Sequence, residues 1–183
     1  MLKWSLADLM KHRSAPLTFS EVLALEDELT ARDPEILSVS PVAVSGEVRF
    51  SEGDFIATVS LKGKLVIPST RSLTPVDWPL DFTFSEVYVT ADSDREKYDD
   101  GQLLIDLDGD ALDLMPAVTD HILLAIPMQV LTPAEAETGE MPTGTDWAVV
   151  SEDEYEATHQ DEKPNPAFAK LQGLFPEDDG DDK

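Results

Sequence analysis

Large apolar residues occupy every second position from Val76 through Trp78, Leu80 and Phe82 to Phe84, with Asp77, Asp81 and Thr83 between them. A period of two sends alternate side chains to opposite faces of an extended chain, so this segment predicts a half-buried strand with Trp78, Phe82 and Phe84 facing the core. Upstream, Val42, Val44, Val48 and Phe50 form one apolar run and residues 55–66 another, with Ser51, Glu52, Gly53 and Asp54 between them as a turn. That pattern predicts a hairpin feeding an antiparallel sheet. Leu103, Ile105 and Leu107 predict a further strand beyond the polar stretch 91–101. The period then changes. Met115, Val118, Ile122 and Ala125 recur at steps of three and four, which predicts a helix over 113–126 with Asp113 as its N-cap, Pro116 in its first turn and Pro127 ending it. Near the N-terminus, Thr18 and Glu21 have capping-box spacing, whereas Leu17, Phe19, Leu23 and Leu25 share one parity of a strand, and the strand is the preferred reading. Together these elements predict an α+β fold, an antiparallel, partly closed β-sheet packed by one main helix.

Regular periodicity stops near residue 131. The expected organisation is a folded body over 1–131 and a mobile acidic arm over 132–183, rich in Glu, Thr, Pro and Gly, with Trp147, Ala148, Val149 and Val150 as an apolar island. Near its end, Phe168, Leu171 and Phe175 fall on one face of a short helical stretch, 166–175, that predicts docking on the body or on a partner.

Charge sharpens this division. The net charge is −25, and between Lys97 and Lys163 lie 65 residues with 17 aspartates and glutamates and not one lysine or arginine. Successive stretches 1–50, 51–100, 101–150 and 151–183 carry −3, −5, −9 and −8. Such a surface repels phosphate backbones and anionic lipid and steers cationic proteins into encounter, although a solubilising role explains acidity alone equally well. The 183 residues are 42% hydrophobic, enough for a real core, and include no cysteine, so disulfides and thiolate metal sites are excluded. The first residues lack the apolar stretch of a signal peptide and no segment has the length of a membrane span, so a cytoplasmic protein is expected.

The candidate chemistry is sparse. Asp106, Asp108 and Asp110 alternate as calcium ligands do, but the sixth and twelfth loop positions, where glycine and a bidentate glutamate belong, hold Ala111 and Ala117. A strand end, a turn at Gly109 and a helix cap account for the same residues. His12, His121 and His159 are too far apart for a local metal motif, and no nucleophile elbow or phosphate loop occurs. The polar stretch 69–76 follows Leu65, Val66, Ile67 and Pro68, and contains Arg71 as its only cation. Ser69 and Ser72 stand at the two ends of a zinc-type spacing, but serine is a poor zinc ligand, so no cofactor is expected.

These features converge on a family. Lys3, Trp4, Ser5 and Leu6 at the start, Pro68 to Leu73 in the middle, Asp113 with the helix through Pro127, and Asn165 to Leu171 near the end resemble, in order and spacing, the YceD family of large ribosomal RNA subunit accumulation proteins. In many relatives a pair of cysteines holds the positions of Ser69 and Ser72, and the serine version looks like the form of Gram-positive bacteria. The resemblance implies a non-enzymatic factor in large-subunit ribosome biogenesis. Its implied functional positions are Ser69, Arg71, Ser72, Leu73, Asp113, Pro166, Phe168 and Leu171.

Three readings follow. The acidic arm and sheet face bind a basic ribosomal protein or assembly partner; or the N-terminal part contacts precursor ribosomal RNA through Lys3, Lys11, Arg13, Lys62, Lys64 and Arg71; or the aspartates serve a carboxylate-metal enzyme, which no spacing supports.

Overall fold

Two 15-residue strands, β5 (Asp54–Pro68) and β6 (Pro75–Val89), pair antiparallel along almost their whole length, from Phe55 opposite Tyr88 to Pro68 opposite Pro75. They are the spine of the computed structural model, which describes residues 2–99, 101–107, 109–139, 141–150 and 152–159. Around them the chain forms β1 (Lys3–Ser5), α1 (Leu6–Leu9) with one further 3₁₀ turn, β2 (Leu17–Leu23), α2 (Glu26–Arg32), β3 (Ser38–Val39) and β4 (Val42–Ser51). After β6 come β7 (Leu104–Asp106), β8 (Ala111–Asp113), α3 (Met115–Leu124), α4 (Pro133–Thr138) and α5 (Glu152–His159).

The main sheet has the order β2-β4-β5-β6-β7, with β3 continuing the line of β4 along β5, and β1 and β8 form a separate pair. Ser40 and Pro41 interrupt the join between β3 and β4, because proline has no N–H for the ladder. The fold is α+β, mostly antiparallel and not fully closed. The β4–β5 turn is the one the sequence predicts: Glu52 (φ 51°) and Gly53 (φ 96°) are both left-handed, the geometry a two-residue hairpin needs to match strand twist. Gly46 in β4 has no room for a side chain, since a Cβ there would meet the Thr58 carbonyl at 2.1 Å. The stretch near the N-terminus is a strand, β2, paired to β4 from Leu17 opposite Val48 to Leu23 opposite Val42.

The core lies between one face of this sheet and the N-terminal and central helices. Val44, Val59, Leu61 and Leu65 meet Leu2, Leu29, Leu112, Val118 and Ile122, all fully buried. Strand β7, found where Leu103, Ile105 and Leu107 predict one, runs parallel to β6, because the chain returns to the same end before it re-enters the sheet. Three expectations need correction. Trp78 and Phe82 have the predicted parity but are only partly buried, while Phe84 at 8% exposure belongs to the core proper. Helix α3 stops at Leu124, earlier than Ile126, with Ala125 as its C-cap. Its N-cap is Leu114, and Asp113 instead closes β8 and accepts the Met115 N–H at 3.0 Å.

Contacts divide the chain into two units, 1–139 and 140–183. In the second, Gly144 N–H donates to the Trp147 carbonyl at 2.8 Å in a small turn closed by a bridge between Thr143 and Ala148, and α5 follows. Trp147, Val149 and Val150 are exposed. The docking stretch 166–175, with Pro166, Phe168 and Leu171, and the acidic tip 177–182 lie outside the described residues. No helix among the described residues is long and apolar enough to cross a membrane.

Candidate functional site

The stretch 69–74 is the tip of the β5–β6 hairpin, and its geometry is organised by one hydroxyl. Ser69 is fully buried; its Oγ donates to Glu135 Oε2 at 2.7 Å and accepts the backbone N–H groups of Arg71 (3.1 Å) and Ser72 (3.3 Å). Its main-chain N–H donates to the Thr74 carbonyl, and its own carbonyl accepts the Leu73 N–H at 3.0 Å. A six-residue loop is thereby closed on itself at both ends.

The partner, Glu135, comes from α4. Thr132 and Glu135 form a capping box: Thr132 Oγ1 accepts the Glu135 N–H at 3.2 Å, and Glu135 Oε2 accepts the Thr132 N–H at 2.7 Å. Val130, just upstream, takes both the N–H (2.8 Å) and the hydroxyl (3.0 Å) of Thr70, and the Glu135 carbonyl accepts from Arg71 Nη1 at 3.4 Å. Hydrogen bonds from the Ser72 and Ser69 hydroxyls and the Thr132 backbone hold the Glu135 carboxyl at a pKa of about 2. The depressed pKa means that the clasp stabilises the fold above the ordinary carboxylate range and is lost only as pH falls toward about 2. The Ser69–Glu135 hydrogen bond thus clasps the loop to α4. Ser69→Ala removes the acceptor of two backbone N–H groups and is expected to cost about 1–2 kcal/mol of unfolding free energy in urea titration. An effect near zero would mean the loop is held by other contacts.

Sequence reading placed Ser69, Arg71, Ser72 and Leu73 in this loop but missed Glu135. The signal was present, since Thr132 and Glu135 have capping-box spacing, Pro133 is a good first helical residue and Gly139 (φ 64°) a good stop. Asp113 lies elsewhere. It lines a cleft of about 280 Å³ with Glu86, Tyr88, Ile105, Asp106 and Asp120, at the other end of β6. Twelve residues of strand separate Pro75 from Tyr88, roughly 40 Å along an extended chain.

In that cleft Glu86 points inward from β6 and bonds His121 Nε2 of α3 at 2.9 Å and the Tyr88 hydroxyl at 2.5 Å. Burial and the bond to Glu86 push the Tyr88 hydroxyl well above its ordinary pKa. The His121 ring stacks on Phe84 with centroids 3.8 Å apart. No group of three or more histidines, aspartates and glutamates suited to a metal occurs among the described residues.

The cations are the other half of the electrostatics. Lys3, Lys11, Arg32, Arg49, Lys62, Lys64, Arg95 and Lys97 each pair with a carboxylate: Asp113, Asp8, Asp120, Glu47, Asp81, Asp77, Asp106 and Asp54 respectively. Arg13 lies over the Phe50 ring, 4.7 Å from its centroid. Eight of the ten described lysines and arginines therefore sit in ion pairs with carboxylates.

Comparison with known proteins agrees with the sequence motifs. A family model described as "Large ribosomal RNA subunit accumulation protein YceD" matches residues 57–175, a span that begins in β5 and takes in the clasped loop, the cleft and α4. The chain is similar, at 30% identity over 179 residues, to the uncharacterized protein YlbN of Bacillus subtilis (strain 168), covering 97% of this chain and 99% of that one. No solved structure matches it. On these two matches the chain belongs to the YceD family.

Proposed function

We propose that this protein is a non-enzymatic factor for accumulation of the large-subunit ribosomal RNA, and that it acts by binding a basic ribosomal protein or assembly partner. The family description supports the first half. The observation that carries the second is the net charge of −25, within which most described cations already face carboxylates. The rival reading, direct contact with precursor ribosomal RNA, needs Lys3, Lys11, Arg13, Lys62, Lys64 and Arg71 to face phosphates. Four of the six already face carboxylates, Arg13 faces an aromatic ring, and Arg71 donates to the Glu135 carbonyl. These pairs are exposed and open at little cost, so the obstacle to phosphate contact is the field of a chain with net charge −25. A basic protein gains from the same field. It would be handed on when RNA, the denser polyanion, competes for it.

The test is affinity retention from bacterial lysate on the immobilised full chain, with and without ribonuclease. Retention of identified basic ribosomal proteins that survives ribonuclease is the expected result. Retention that disappears with the RNA would transfer the function to the nucleic acid.

A further inference from the structure

Leu73 is held in the left-handed region at φ 61°, a conformation that bulky L-residues rarely adopt, and its side chain is 74% exposed. Both facts run against folding alone. An exposed leucine at a loop tip gains nothing from burial, and glycine or asparagine would relieve the backbone. The loop is nevertheless built to keep it there, since the Ser69 carbonyl fixes the Leu73 N–H and Ser69 Oγ fixes the two residues before it. Strain maintained by its surroundings is a mark of functional positions.

The same end of the sheet displays other apolar groups. Met128 is fully exposed in the segment whose Val130 carbonyl binds Thr70, and Leu37 is half exposed beside its own bond to the Val66 carbonyl. The segments that bond to this end are acidic: Glu137 lies in α4, which the Ser69–Glu135 clasp ties to the tip, and Asp33 and Glu35 precede Leu37 in the chain. The only cation of the loop, Arg71, is turned onto the Glu135 carbonyl. An exposed apolar anchor on a chain of net charge −25 complements a basic surface that contains an apolar pocket.

We propose that the hairpin tip 69–74 is the docking surface for the basic ribosomal protein, with Leu73 as its apolar anchor. This rests on the reading given under Proposed function and names the surface that reading lacks. The partner's cations are drawn by the acidity of the chain, while Leu73 enters the pocket.

The experiment uses the full chain, immobilised, and the salt-extracted, ribonuclease-treated protein fraction of purified Bacillus subtilis large ribosomal subunits, with retained proteins identified by mass. Three chains are compared: parent, Leu73→Asn and Leu73→Met. Asparagine accepts the left-handed backbone, so Leu73→Asn is expected to melt at or slightly above the parent temperature. Its retention of the basic protein should nevertheless fall at least about ten-fold, as for loss of a buried anchor. Leu73→Met keeps the apolar contact and should bind within about two-fold of the parent. Equal retention by the parent and Leu73→Asn overturns the docking surface but leaves the binding function standing. A Leu73→Asn chain that melts well below the parent and loses binding makes Leu73 a packing residue and also overturns it. If the parent retains no basic protein, or binds only when intact ribosomal RNA is restored, both readings fall.

Discussion

Asp54→Ala is expected to lower the unfolding free energy by about 2–3 kcal/mol, since it removes the buried acceptor of three side-chain hydrogen bonds, one of them charge-assisted. Asp54 opens β5 and is fully buried, and it gathers the polar stretch after β6 onto the hairpin. Its carboxylate accepts from Lys97 Nζ at 2.7 Å, from the Tyr98 hydroxyl at 2.7 Å and from the Ser93 hydroxyl, while Lys97 also donates to the Glu52 carbonyl at 2.6 Å. Burial alone would raise the Asp54 pKa, but the hydrogen bonds from Lys97, Ser93 and Tyr98 outweigh it and leave the pKa below its ordinary value. The sign follows. A carboxyl with a depressed folded-state pKa stabilises the protein above its unfolded value, and that contribution is lost as pH falls through the folded one. Urea titration of parent and variant at neutral pH and in acid checks both statements, since the difference between them should shrink as the acid limit is approached. A cost below 1 kcal/mol at neutral pH would show that the residues around Lys97 are not tied through this carboxylate.

Phe84→Ala is expected to cost about 3–5 kcal/mol, because it empties a filled site in the core and removes the surface on which His121 stacks. Phe82→Ala should cost about half as much, since its ring is only partly buried. The two residues share a strand and a face, so they separate burial from chemistry. Equal losses would mean that Phe82 is covered as fully as Phe84.

What the sequence made legible is what local patterning controls. The period of two in residues 76–84, the turn at Glu52 and Gly53 and the helical period after Asp113 each depend on neighbours a few residues away, and each is found in place. Depth of burial is not local. Trp78 and Phe82 carry the same alternation as Phe84, and only the position of the helices over the sheet distinguishes them. Nor is strand direction, because whether β7 runs parallel depends on where residues 90–103 return the chain, which an apolar triplet does not encode. The loop at Ser69 was visible as a motif, yet its meaning lay 66 positions away in Glu135. Likewise Asp54 reads as a turn residue until Ser93, Lys97 and Tyr98 close over it. Charge was legible as a sum; its arrangement, with eight described cations already paired, was not.

The proposal that the acidity of this chain draws in a basic ribosomal protein makes its association rate the decisive quantity. It is tested most directly by stopped-flow association of the full chain with the purified basic protein that it retains, at low and high ionic strength, beside a chain lacking residues 177–183. Long-range fields act on encounter more than on the docked contact. The expected result is a parent association rate that falls steeply with salt, a slower and less salt-dependent rate after the deletion, and nearly the same dissociation rate in both. Identical, salt-independent association of the two chains would contradict it.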